Sequence, residues 1–200
     1  MNVPANLAER EARSGQNGFV DMNCQVVLKQ GSRRIEVRME MDNQADDHRV
    51  RVLVPTPFAS ETVVADNQFG LITRPTNDPA MDVWEQEGWK EAPVPVYQLM
   101  NFAAVENQTG GIALMTNGLR EFEVISSKGN EERDTFALTL FRGVGVLGKE
   151  NLLLRPGRPS GIKIPTPDSQ TRGKIVCEFA LFGFAGNHID ANLMAELVTM

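Results

Sequence analysis

Residues 34–55 read RIEVRMEMDNQADDHRVRVLVP, and the alternation in this stretch decides the fold class. From Arg34 to Met41 every second residue is apolar, so Ile35, Val37, Met39 and Met41 fall on one face and Arg34, Glu36, Arg38 and Glu40 on the other. Side chains of an extended chain point alternately up and down, so this pattern marks a half-buried strand. DNQADD is rich in turn formers, and HRVRVLVP resumes the alternation with Val50, Val52 and Val54 inward. The two runs are predicted to form an antiparallel hairpin. Working outward, TFALTLF puts Phe136, Leu138 and Leu140 on one face, and KIVCEFALF does the same for Ile175, Cys177, Phe179 and Leu181. The shorter apolar runs YQLMNFAAVEN, GIALMTNG and LREFEVI are separated by Gly and Asn at turn positions. No helical period of ten residues lies between Phe19 and Phe182. The fold expected is all-β: an antiparallel β-sandwich over residues 19–184 with long loops.

The flanks read differently. Residues 1–18, MNVPANLAEREARSGQNG, are polar and carry no sustained apolar period, so they are expected to be a flexible arm or the end of a preceding element, with structure beginning near Phe19. Residues 185–200 include NHIDANLMAELVTM, where Ile189, Leu193, Met194 and Leu197 follow helical spacing; a short helix or a linker to further sequence is expected. Residues 77–96, NDPAMDVWEQEGWKEAPVPV, form a long proline-rich loop holding both tryptophans. Trp84 and Trp89 either face a sugar or a neighbouring domain, or cap the sandwich core.

Composition narrows the function classes. A chain of 200 residues, 42% hydrophobic and 23% charged, can bury a core of its own in water. A net charge of -6 gives no electrostatic reason to expect nucleic acid as a partner. No apolar stretch approaches the ~18 residues of a membrane span. The first residues lack the basic-then-apolar pattern of a signal peptide. A cytoplasmic location is therefore expected. Cys24 and Cys177 are too few for a disulfide framework and lie in alternating apolar runs, where buried free thiols are expected.

Catalytic apparatus is sparse. A hydrolytic zinc centre needs several converging His, Cys or carboxylate ligands, and the only histidines, His48 and His188, sit in neither an HExxH nor an HxD pattern. Asp46 and Asp47 precede His48, but a solvated turn explains them as well as a metal does. There is no GxSxG elbow, and neither cysteine has a basic neighbour to lower its pKa. Carboxylates suited to glycoside hydrolysis are abundant in loops, and spacing alone pairs none of them. The most distinctive polar segment is residues 152–173, LLLRPGRPSGIKIPTPDSQTRG, where Arg155, Arg158, Lys163 and Arg172 stand among prolines and glycines. Arginines in a rigid turn suit a phosphate or carboxylate, or else satisfy the carbonyls of a crossover.

Five segments in order carry a resemblance to a known family. DNQADDHRVRVLVPTPF is similar to the strand pair that opens the C-terminal β region of glycoside hydrolase family 38 α-mannosidases, and ADNQFGLITRPTNDP to the family's "aDspFgvveRp". GIALMTNGLREFEV resembles "GLpEYEv", LTLFRGVGVLGKENLLLRPGRPSG resembles "lLRsvGwLsrddLltRpGhaGp", and TPDSQTRG resembles "TPgAQclG". The match runs from Asp42 to Gly173. Val146 stands where many members have tryptophan, and Arg158 and Pro159 where many have His and Ala. These departures look most like the bacterial mannosylglycerate hydrolase branch.

The resemblance implies a supersandwich-like, galactose mutarotase-like β-sandwich from a retaining, zinc-dependent α-mannosidase. It implies that zinc and the nucleophile belong to an N-terminal catalytic domain of the same polypeptide, which nothing here matches, so this chain carries no catalytic residue, no metal ligand and no cofactor. It also implies a family β portion beyond the matched stretch, which makes the chain an excised domain or a partial gene product. The substrate implied is a mannoside, in that branch the phosphorylated 2-O-(6-phospho-α-mannosyl)-D-glycerate, and Arg155 and Arg158, then Lys163, are the candidates for its negative charges. Three readings follow: a noncatalytic domain packed on the catalytic one and lining its substrate site, a carbohydrate-binding module using Trp84 and Trp89, and an independent hydrolase. The first is the expectation.

Overall fold

Alternating apolar residues can be buried on one face only, so strands of this kind must pack face to face. The computed structural model describes residues 1–7, 12–126, 133–150 and 152–197. Its strands are β1 (Asn2–Pro4), β2 (Asn17–Val27), β3 (Arg34–Asn43), β4 (Arg49–Pro55), β5 (Thr62–Asn67), β6 (Gly70–Pro75), β7 (Val96–Gln98), β8 (Phe102–Glu106), β9 (Gly110–Thr116), β10 (Glu121–Ile125), β11 (Thr135–Arg142), β12 (Val146–Leu147), β13 (Ile164–Pro165) and β14 (Gly173–Ala185), followed by a short helix α1 (Leu193–Leu197). An eight-stranded sheet has the order β1-β2-β3-β14-β9-β8-β5-β6, a four-stranded sheet the order β4-β11-β10-β7, and β12 pairs with β13 apart from both. Every pairing is antiparallel. The fold is the all-β antiparallel sandwich that the alternation predicts.

Between the sheets lies one core. Val37, Met41, Cys177 and Phe179 of the large sheet meet Phe122, Val124, Phe136, Leu138 and Leu140 of the small one. Full burial of each such side chain stabilises by roughly 1.5–3 kcal/mol. Ile35, read as inward, is exposed on that face, while Arg34 on the opposite face is buried.

The predicted hairpin of β3 with β4 is not formed. β3 lies between β2 and β14, β4 pairs with β11, and the turn residues carry the chain from one sheet to the other. Alternation fixes which face of a strand is buried but not which neighbour it takes. Apart from Ile35, both strands turn their apolar faces to the same core, as read, from opposite sides of it.

A second core covers the outer face of the large sheet, where Phe102, Ala104, Ala113, Met115, Ala180, Phe182 and Phe184 are buried with Leu193. The C-terminal segment is pinned there at several points. Glu106 accepts from the His188 backbone N–H at 2.7 Å and faces its Nδ1 at 2.8 Å. Arg34 donates to the Glu196 carbonyl at 2.8 Å, and Arg33 lies over the Phe182 ring at 4.8 Å. Of the expected helical stripe only Leu193 is buried; Ile189 and Met194 are exposed, and the Leu197 side chain falls outside the described part, as do residues 198–200.

Two further expectations need correction. Structure begins at Asn2 and not near Phe19, because β1 pairs with the start of β2, Asn2 opposite Phe19. Three residues are too few to show a period, so the strand is invisible in the sequence. Residues 8–11 of the expected arm lie outside the described residues. Both cysteines are free, but only Cys177 is buried; Cys24 is exposed on β2, beyond the cover of the smaller sheet.

Candidate functional site

The two long loops singled out in the sequence meet in space. Residues 77–96 open with a 3-10 turn, Pro79–Asp82, in which the Asp78 carboxylate caps the Ala80 N–H at 3.0 Å. Further along, Ala92 N–H donates to the Leu154 carbonyl at 2.8 Å, and Arg155 Nη1 lies 3.9 Å from Glu91 Oε2. The tryptophan loop and the RPGRPSG loop therefore form one surface. Their residues are unequally available. The Arg155 side chain is only 11% exposed and donates to the Lys149 carbonyl at 3.3 Å, which leaves it holding its own loop together. Arg158 is exposed, and Lys163, also exposed, is 3.2 Å from Glu150. Trp84 is half-buried and Trp89 is 45% exposed, and neither joins the two cores.

Three of the resembling segments converge on a polar knot. Asp47 sits at φ 54, and its Oδ1 accepts from Gly145 N–H at 2.9 Å and from Gln170 Nε2 at 2.9 Å. Gln170 Oε1 in turn accepts from the Asp47 N–H at 2.8 Å. Asn43 Nδ2 donates to the Thr171 carbonyl at 2.9 Å, and Arg172 grips Asp46 through two bonds of 2.7 and 2.6 Å. Arg172 holds the Asp46 carboxyl below the usual carboxylate range through these bonds, against the upward pull of partial burial. Glycine is required where the Gln170 side chain passes: a Cβ on Gly145 would stand 2.5 Å from its Nε2 and 2.6 Å from Asp47 Oδ1. The knot thus ties the crossover turn to the GVG and PDSQTRG segments, and the sequence reading missed it.

A fourth segment supplies a second clamp that was missed. Asp66 is 4% exposed, and its Oδ1 accepts from the N–H groups of Met100, Asn101 and Phe102 at 3.1, 2.7 and 2.8 Å. Its Oδ2 accepts from Asn101 Nδ2 at 2.7 Å. The carboxylate organises the bend before β8 as an anion held by converging backbone donors.

The residues present do not fit a catalytic zinc site. Among the described residues no group of three His, Cys, Asp or Glu side chains comes together. His48 is edge-on to Phe141 at 5.3 Å with Nδ1 3.2 Å from the Asp46 carbonyl, and His188 is engaged by Glu106 on the other side of the large sheet. Among the described residues no helix is long and apolar enough to cross a membrane.

An antiparallel two-sheet β-domain whose distinctive polar residues hold its own turns is a class found in several contexts. Here residues 9–146 match the family model "Glycosyl hydrolases family 38 C-terminal domain", and the chain belongs to that family. It is 28% identical over 185 residues to a protein of Halalkalibacterium halodurans named "Putative mannosylglycerate hydrolase", covering 92% of this chain and 18% of that one. Two crystal structures from Enterococcus faecalis share the fold: a glycosyl hydrolase family 38 protein (TM-score 0.76, 23% identity) and an α-mannosidase (TM-score 0.79, 24% identity). Each match covers 99% of this chain, against 22% and 21% of the respective partner. The chain thus spans about one fifth of the length of the relatives it matches.

Proposed function

We propose that this chain is a noncatalytic β-sandwich portion of a retaining, zinc-dependent α-mannosidase, packed on a catalytic domain of the same polypeptide and lining one side of its substrate site through the joined loops 77–96 and 152–173. The observation that carries the reading is a division of labour. Polar residues of the family-like segments (Asp47, Asp66, Gln170, Arg172) are committed to hydrogen bonds within the domain, whereas Arg158, Lys163 and Trp89 on the joined loops are exposed. Arg158, rather than the buried Arg155, is the cation available to a phosphorylated mannosyl-glycerate, with Lys163 second. The relative's name supports a mannosylglycerate as the substrate.

The test uses the longer polypeptide with zinc. Arg158→Ala is expected to raise KM for the phosphorylated substrate about ten-fold, leaving kcat and the KM for an unphosphorylated mannoside unchanged. Equal KM values for the phosphorylated substrate refute the assignment. α-Mannosidase turnover by the 200-residue chain alone would refute the noncatalytic reading.

The exposure of Trp89 favours a second reading, a carbohydrate-binding module acting without any link to catalysis through Trp84 and Trp89. Titration of the chain with mannosides, followed by tryptophan fluorescence, separates the two. A saturable change supports the module, and a flat titration supports the structural domain.

A further inference from the structure

The large sheet has an open edge at β2. β1 covers only Asn17–Phe19, and Met1 continues that ladder by exchanging both backbone bonds with Val20, at 2.9 and 3.0 Å. Beyond Val20, among the described residues, no strand pairs with the outer side of β2. Alternate residues of an antiparallel strand turn their N–H and C=O groups to the same side. The Met1–Val20 pair therefore sets the phase: Met22, Cys24 and Val26 aim their backbone groups at the open edge.

The same three residues carry a second deficit. Opposite Met41, Met39 and Val37 in the register, their side chains lie on the inward face of the sheet. The smaller sheet does not reach them, however: Val20 is fully buried, while Met22, Cys24 and Val26 are exposed. A long edge with apolar side chains and unpaired backbone is a template for another strand.

We propose that β2 accepts, along Asp21–Val27, a strand formed by the residues that lead into β1 in a longer polypeptide. The proposal rests on the reading of this chain as one domain of a longer α-mannosidase, and the relatives are about five times the matched length. β1 runs antiparallel to β2, so chain arriving at Met1 from upstream passes alongside Asp21 with no intervening loop to close. Its register continues that of β1. The second, fourth and sixth residues upstream face Met22, Cys24 and Val26 and are apolar; the residues between them face Asp21, Asn23, Gln25 and Val27 and are polar. A second copy of the chain suits the edge less well. Paired about Cys24 it would use seven residues a side, against the roughly 20–30 per partner of a stable interface.

The experiment compares the 200-residue chain with the same chain extended upstream as encoded, and measures alkylation of Cys24 and hydrogen exchange at Met22, Cys24 and Val26. In the extended polypeptide all four signals should slow by at least about ten-fold, with apolar residues at the second, fourth and sixth upstream positions. Equal rates in the two proteins overturn the proposal. So does protection of the 200-residue chain that rises with its concentration, which would assign the edge to a second copy, and so does an in-frame stop immediately before Met1. α-Mannosidase activity with zinc is assayed on the same extended preparation. An active enzyme with an unprotected β2 removes the strand and leaves the domain reading standing; an inactive one with a protected β2 does the reverse.

Discussion

Asp66→Ala should be among the most damaging single substitutions in this chain. Asp66 takes four hydrogen bonds, three from consecutive backbone N–H groups and one from Asn101 Nδ2. Phe102 is 1% exposed, so its N–H loses its only carboxylate partner without gaining water, a cost of about 1–3 kcal/mol. The Met100 N–H keeps its bond to the carbonyl of residue 66 at 3.1 Å, while the N–H and Nδ2 of half-buried Asn101 turn to solvent at a loss of about 0.5–1.5 kcal/mol each. The sum is roughly 2–6 kcal/mol. Asp66→Asn keeps an oxygen toward the three N–H groups and asks only that the Asn101 amide flip, so it should cost about 1–2 kcal/mol. Urea unfolding followed by tryptophan fluorescence measures both. With a slope near ~3 kcal/mol per molar for a chain of this size, the alanine variant should move its midpoint down by roughly 0.7–2 M at unchanged slope. An alanine variant within about 0.5 kcal/mol of the parent, the range of an ordinary surface substitution, would refute the clamp.

Two other substitutions test the polar knot. In Arg172→Gln the Asp46 carboxyl should titrate closer to the ordinary aspartate range, because the two bonds that lower it are gone; carboxyl NMR titration reads the change directly. A carboxyl held low in the folded state contributes stability above its unfolded pKa and loses it as pH falls through the folded one. The Asp46 contribution is therefore present at neutral pH and disappears in acid below about pH 4, and Arg172→Gln should remove that acid dependence with little change beneath it. Gly145→Ala should cost about 1–3 kcal/mol in the same urea assay, since its Cβ would meet Gln170 Nε2 at 2.5 Å, while Gly183→Ala, with nothing within 4 Å, should stay within about 0.5 kcal/mol. Equal effects of the two glycine substitutions would contradict the packing argued for the knot.

Burial was the part of this fold most open to reading. Residues alternating at period two declared their inward faces, and Val37, Met41, Phe136, Leu138, Cys177 and Phe179 are where that period puts them. Pairing was not legible, because a strand with one apolar face is content beside any neighbour that shares the core; β3 and β4 illustrate it by joining different sheets across a turn that looked like a hairpin. β1 escaped notice for want of length. The polar clamps were hidden by distance along the chain: Asp66 meets partners 34 to 36 residues away, and Asp47 meets Gln170 across 123. Arg155 and Arg158 look alike in RPGRPSG, and only the fold distinguishes the one turned inward against Glu91 from the one left exposed.

That contrast bears on what the family-like segments carry. Asp47, Asp66 and Gln170 lie at the knot and the Asp66 clamp, places where a turn is held in one conformation by a side chain of a particular shape and charge. What these three residues do is explained by the fold without reference to a ligand. The joined loops differ in this respect: Arg158 stands exposed and Trp89 lies outside both cores, so neither is held in place by the sandwich. Arg158, one of the points at which the chain departs from the commoner family pattern, is thus also a side chain that the fold leaves exposed.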